Sequence, residues 1–227
     1  MEMKIVILPG LDGTGVLSCK IRESLSTNYK VETISYPPNL SHYNELLDWL
    51  YALLPSEDFI IVAESFSGPL AAMIAAKHPK FLKGVVFVAT FAQRPRNLPA
   101  SFAYIFQVVP IKSSYLAQMV QPILMGKWSN RDFTSTFKQA LNKVPASTLS
   151  KRLAEVLKVD VISQLTEISV PILYLQAKND RLVPQRMSAP FNRASATFCA
   201  IEGPHFLLQA NAGEAATKIS EFIGSLD

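Results

Sequence analysis

Cysteine and histidine are both scarce in this chain of 227 residues, which holds two of the first and three of the second. Cys19 and Cys199 cannot build a disulfide framework, and no metal-ligand spacing surrounds either one. Disulfide-stapled folds and cysteine-held metal modules are thereby set aside. No apolar run approaches the ~20 residues that a membrane-spanning helix needs. The opening residues, Met1 to Gly10, are too short and too strand-like for a secretory signal. A reducing cytoplasm is the expected location. Internal repeats and low-complexity segments are absent as well.

What is present fits one large α/β domain, long enough for a full core and an inserted subdomain. Hydrophobic residues make up 49% of the chain and charged residues 18%. Short apolar strands alternate with helical patterns, the signature of a parallel sheet covered on both faces. The pattern predicts strands at Lys4–Leu8, Lys30–Ser35, Phe59–Ala63, Gly84–Ala89, Pro171–Gln176 and Thr197–Ile201. It predicts helices near Gly15–Ser26, Tyr43–Leu53, Pro69–Lys77, Pro184–Phe191 and Ala212–Ser225. In the second helix, Leu46, Leu47, Leu50, Leu53 and Leu54 form a core-facing stripe.

The alternation stops between Phe91 and Ile168, where helix patterns occur without a convincing strand. One stripe holds Phe102, Ile105, Phe106 and Val109; another holds Leu116, Met119, Val120 and Ile123. Phe133, Phe137 and Leu141 form a third, and Leu149, Leu153, Val156 and Leu157 a fourth. The expected organisation is a core of residues 1–90 and 169–227 with a helical cap, residues 91–168, over the strand ends. Such stripes ordinarily pack among themselves. Phe102, Phe106, Phe133 and Phe137 are also candidates for the walls of an acyl pocket.

Charge is concentrated in the same segment. Ten Lys or Arg fall between Phe91 and Asp160, opposed by Asp132, Glu155 and Asp160 alone. The rest of the chain is slightly acidic. A solvated helical surface explains such an excess, and so does a docking face for an acidic partner, with Lys151 and Arg152 as candidate contacts.

The chemistry gathers where strands end. Ala63-Glu64-Ser65-Phe66-Ser67-Gly68 joins the third strand to a helix rich in small residues. A serine on such a turn, with small residues two positions to either side, has the form of a nucleophile elbow. Ala63 and Ser67 stand where the usual motif has glycines, and both are small enough. A hydroxyl needs a base beside it. His42 opens a helix and His78 closes one, whereas His205 follows the last strand directly and so shares the sheet edge of Ser65. Asp180, after the fifth strand, is the candidate to orient the imidazole; it also suits a turn that caps the next helix. Asp160 and Glu202 are weaker candidates. Pro9-Gly10-Leu11-Asp12-Gly13-Thr14-Gly15 follows the first strand, and its Leu11 N–H with that of Phe66 could hold an oxyanion. Asp12 is read as holding that turn.

With these parts in order Ser, Asp, His, the chain resembles the α/β-hydrolase family nearly from end to end. The resemblance implies an α/β-hydrolase fold with a mainly parallel six-stranded sheet, a helical lid and a Ser65–His205–Asp180 triad. It departs from the family in lacking the amino-terminal antiparallel strands and in having Pro9-Gly10 where His-Gly is usual. The lid and the Asp180-Arg-Leu-Val-Pro184 stretch look similar to small carboxylesterases and to pimeloyl-acyl-carrier-protein methyl ester esterases. That resemblance implies carboxylic ester hydrolysis without metal or organic cofactor, with an acidic acyl carrier protein as an alternative partner and no nucleic acid. A catalytically silent binding module is a remote alternative, because such a scaffold needs none of the three side chains. A dinucleotide loop is disfavoured, since Gly10, Gly13 and Gly15 have the wrong spacing.

Overall fold

The computed structural model describes residues 3–108 and 124–226. Its first half runs β1 (Lys4–Leu8), α1 (Cys19–Leu25), β2 (Lys30–Thr33), α2 (Tyr43–Tyr51), β3 (Phe59–Glu64), α3 (Ser67–Ala75) and β4 (Leu82–Val88). Then come α4 (Ile105–Val108), α5 (Arg131–Asn142), α6 (Ala146–Val156) and α7 (Ile162–Thr166), with no named strand among the described residues of that stretch. The chain closes with β5 (Ile172–Ala177), α8 (Ala189–Arg193), β6 (Thr197–Ile201), α9 (Leu207–Ala210) and α10 (Ala212–Gly224).

Six strands form one parallel sheet in the order β2-β1-β3-β4-β5-β6. The continuous apolar runs of β1, β3 and β4 follow from burial on both faces. Successive residues serve opposite cores. Val6, Leu8, Ile61 and Phe87 pack with α2 and α3, while Ile5, Ile7, Ile60, Val62 and Val86 pack with α1 and α10. The order reverses at the β1/β3 pair, so the crevice between their carboxyl ends is where such sheets place ligands.

The two ends of the helical stretch after β4 are pinned together. The Arg94 N–H donates to the Val159 carbonyl and the Val161 N–H to the Ala92 carbonyl, both at 2.8 Å. Elements lie within a few residues of their predicted positions. α2 ends at Tyr51, and Leu53 is 52% exposed rather than part of the core stripe. Pro55 disfavours helical geometry at Leu54, which stops the helix early. The elbow helix starts at Ser67, two residues before the predicted Pro69. The predicted stripe from Leu116 to Ile123 lies outside the described residues, as does Val109. Among the described residues no helix is long and apolar enough to cross a membrane.

One glycine is fixed by packing. A Cβ on Gly68 would lie 2.0 Å from the Thr90 Oγ1, whereas nothing lies within 4 Å of one on Gly213. Gly68→Ala is expected to cost about 1–3 kcal/mol through overpacking. Gly213→Ala should be neutral or slightly stabilising. Urea denaturation midpoints compare the two directly.

Candidate active site

β3 delivers Ser65 into a turn whose backbone carries φ 50, a left-handed value. For a residue other than glycine such strain costs of order 1–3 kcal/mol and persists only where neighbours hold it. Here they do. The Ser65 N–H donates to the Val88 carbonyl at 2.9 Å, and its own carbonyl accepts from the Gly68 N–H at 3.1 Å and from the Thr90 hydroxyl. The hydroxyl of Ser65 is thereby held out from the sheet at the start of α3.

His205, in the loop after β6, meets it there: Nε2 lies 2.8 Å from the Ser65 Oγ, and Nδ1 lies 2.8 Å from the Asp180 Oδ2. The tautomer that satisfies both contacts has its proton on Nδ1, donated to the carboxylate, and leaves Nε2 to accept from the serine. Asp180 does two jobs. Its Oδ1 accepts the N–H groups of Leu182 and Val183, each at 2.8 Å, so the turn-forming role exists alongside the contact to His205. The structure thus brings together Ser65, Asp180 and His205. It leaves the others apart: His42 contacts Glu155 at 2.9 Å, His78 contacts Ser169 at 3.0 Å, and Glu202 pairs with Lys178 at 3.2 Å. Asp160 accepts the Ile162 N–H.

Burial works against a charged His205, but the charge and hydrogen bond of Asp180, with the charge of Glu64, outweigh it and raise its pKa above the usual value. Glu64 itself is a site residue that the sequence reading passed over. Burial pushes its carboxyl up to about 7, against the opposing pull of His205 and Gln209. Gln209 donates to its Oε2 at 3.2 Å, while Oε1 is buried without a partner among the described residues. A neutral carboxyl tolerates that position better than a carboxylate. The only sequence signal was an acid placed directly before the elbow serine.

Leu11 and Phe66, whose N–H groups are the expected oxyanion donors, both line the same cavity as Ser65 and His205. Among the described residues neither donates to an acceptor. Asp12 holds the turn, as expected, by accepting from the Thr14 N–H at 2.9 Å and from its hydroxyl. The small residue at position 67 is more than small: its hydroxyl donates to the Pro9 carbonyl and accepts from the Tyr36 hydroxyl at 2.6 Å.

The cavity measures about 450 Å³ and is walled almost entirely by apolar side chains. Phe102 and Phe137 line it, and α6 contributes Leu149, Leu153 and Val156. Phe133 does not line it. Its ring stacks behind Phe137 at 5.6 Å and meets Phe206 at 5.0 Å, so it supports the wall from the rear. The Phe106 side chain lies outside the described residues. Phe206, a wall residue with its ring edge-on to His205, was not anticipated, since nothing in its local pattern separates it from core.

One expectation is overturned. Lys151 is exposed, but Arg152 is 0% exposed, so Arg152 cannot be a surface contact for a partner. Its guanidinium turns inward to backbone carbonyls of the loops after β1 and β2. A charged residue on an amphipathic helix reads as surface unless its acceptors, more than 100 positions away, are known.

No match by sequence is found among curated proteins. Solved structures share the architecture at low identity. An enol-lactonase from Burkholderia xenovorans LB400 is 14% identical, with 99% of this chain and 92% of that one covered and a TM-score of 0.85. A lipase-esterase related protein from Clostridium acetobutylicum is 17% identical, over 97% and 94% of the chains, with a TM-score of 0.81. A thermophilic esterase from Thermogutta terrifontis is 16% identical, over 99% and 90%, with a TM-score of 0.80. At these identities the likeness speaks to the fold alone. Residues 5–209 match the family described as alpha/beta hydrolase fold, and the chain belongs to that family.

Proposed function

We propose that this protein is a serine hydrolase that cleaves carboxylic esters with apolar acyl groups through an acyl-enzyme. The observation that carries the reading is the relay from the Ser65 Oγ through His205 to Asp180, two contacts of 2.8 Å at the border of an apolar cavity. In this reading Ser65 attacks the acyl carbon and its proton passes to the His205 Nε2. The Asp180 carboxylate stabilises the resulting imidazolium. The oxyanion gathers the N–H groups of Leu11 and Phe66, in a dry setting where such bonds are strong. His205 returns the proton to the departing alcohol. Water, deprotonated by the same nitrogen, then attacks the acyl-enzyme and releases the acid. The helical stretch after β4 acts as a cap that walls the acyl pocket. The esterases and the lactonase of like fold agree with hydrolysis at an acyl carbon.

A second proposal is an ester or thioester carried by an acidic acyl carrier protein. It rests on the exposed Lys127, Arg131, Lys143, Lys151 and Lys158 of the capping stretch. A methyl ester presented free and on the carrier separates the two. Carrier preference that vanishes at high salt supports docking, and equal rates remove it.

Three outcomes test the main reading. Ser65→Ala and His205→Ala should each lower kcat/KM on p-nitrophenyl esters by about 10⁵-fold, and Asp180→Asn by about 10⁴-fold. Near-full activity in any of them removes that residue from the mechanism. The base must be neutral, so activity should fall as pH drops through the raised His205 pKa, with a midpoint above the ordinary value near 6.5. Glu64 ionises near 7 and so carries only part of a negative charge over this range; Glu64→Gln removes that part, and the acid limb should move modestly to lower pH. A limb that stays in place or moves upward contradicts the assigned coupling.

A further inference from the structure

The loop after β1 has every carbonyl from Pro9 to Gly13 engaged. The Ser67 hydroxyl holds Pro9, the Gly13 N–H holds Gly10 at 3.0 Å, and the Tyr36 N–H holds Gly13 at 2.7 Å. The two between them belong to Arg152: its Nη1 donates to the Leu11 carbonyl at 3.2 Å and to the Asp12 carbonyl at 2.8 Å. The rest of the guanidinium is anchored on the loop after β2. Nε and Nη2 donate to the Leu40 carbonyl at 3.2 and 3.0 Å, and Nη2 also donates to the Pro37 carbonyl at 3.2 Å. Among the described residues this cation has no carboxylate within ion-pair distance; it lies 5.6 Å from the centre of the Tyr36 ring. Burying it without a paired anion is costly, so a role beyond surface solvation is called for. The space is tight too, since a Cβ on Gly13 would come within 2.3 Å of Nη1.

A peptide unit is planar and trans, so each N–H points opposite to the carbonyl of its own unit. With the Gly10 carbonyl turned toward the Gly13 N–H, the Leu11 N–H is directed the other way. It stays there only while the torsions on either side of it are fixed. Arg152 fixes the units that follow.

We propose that Arg152 is a positioning residue for the oxyanion site, holding the Leu11 N–H in place by pinning the Leu11 and Asp12 carbonyls from α6. The inference deepens the esterase reading and rests on it. Lysine could not replace the arginine, because an ammonium lacks the planar fork that spans four carbonyls.

Arg152→Lys and Arg152→Gln test it with two inhibitors of equal chain length. A trifluoromethyl ketone adds to Ser65: the Oγ–carbon bond forms, the proton passes to the His205 Nε2, and the ketone oxygen becomes an oxyanion. The matching secondary alcohol fills the acyl pocket without forming one. In both variants kcat/KM should fall by about 100-fold, the ketone should weaken in the same proportion, and the alcohol should stay within about threefold. Unchanged kcat/KM, equal weakening of both inhibitors, or loss of the folded circular dichroism spectrum in both variants would each overturn the proposal. Wild-type turnover separates the two levels: active wild type with equally active variants removes only the role of Arg152. Wild-type protein inactive on every ester removes the hydrolase reading itself.

Discussion

Everything at the site depends on the pairing of β1 with β3. Leu8 lies opposite Ala63, so the two chains leave the sheet at the same level and side by side. One continues into the Pro9–Gly15 loop and the other into the turn at Ser65. Parallel strands enforce this, because both carboxyl ends must appear on one edge. The Ser67 hydroxyl then ties the two exits together through the Pro9 carbonyl. A slip of one residue would turn Ser65 to the other face of the sheet and dissolve the site.

Around that junction the protein keeps five ionisable groups out of water, and they are accommodated in four ways. His205 and Asp180 share one hydrogen bond, and the carboxylate favours protonation of the imidazole. Glu64 is pushed toward its neutral form by burial. Arg152 is solvated by backbone carbonyls instead of an anion, and Asp12 is occupied by Thr14. Low local polarity strengthens all of these contacts, and it would likewise strengthen hydrogen bonds to any charge that develops beside Ser65. The apolar walls supplied by α6 and by Phe137 and Phe206 are therefore part of the electrostatics as well as the shape.

α6 has two faces with two tasks. Leu149, Leu153 and Val156 face the cavity, while Arg152 reaches the loop after β1. The helix that shapes the pocket also holds the carbonyl of Leu11, the residue whose N–H is the proposed oxyanion donor, so in the proposed reading one element serves both the acyl pocket and the oxyanion site.

Ser65, Asp180 and His205 could be picked from the sequence because each sits just after a strand in a regular β/α alternation, and a parallel sheet sends such positions to a common edge. Local pattern alone therefore determined the fold class, the strand order of chemistry along the chain, and the choice of His205 over His42 and His78. It could not determine that Arg152 points inward, that Ser67 bridges two loops, or that Glu64 is buried beside the imidazole. Those facts depend on carbonyls and side chains up to 145 positions distant in the chain. A helical period says which residues share a face, but only the packed molecule decides what that face meets. For a charged side chain the partner it finds, more than its own chemistry, sets whether it is solvated surface or a buried support.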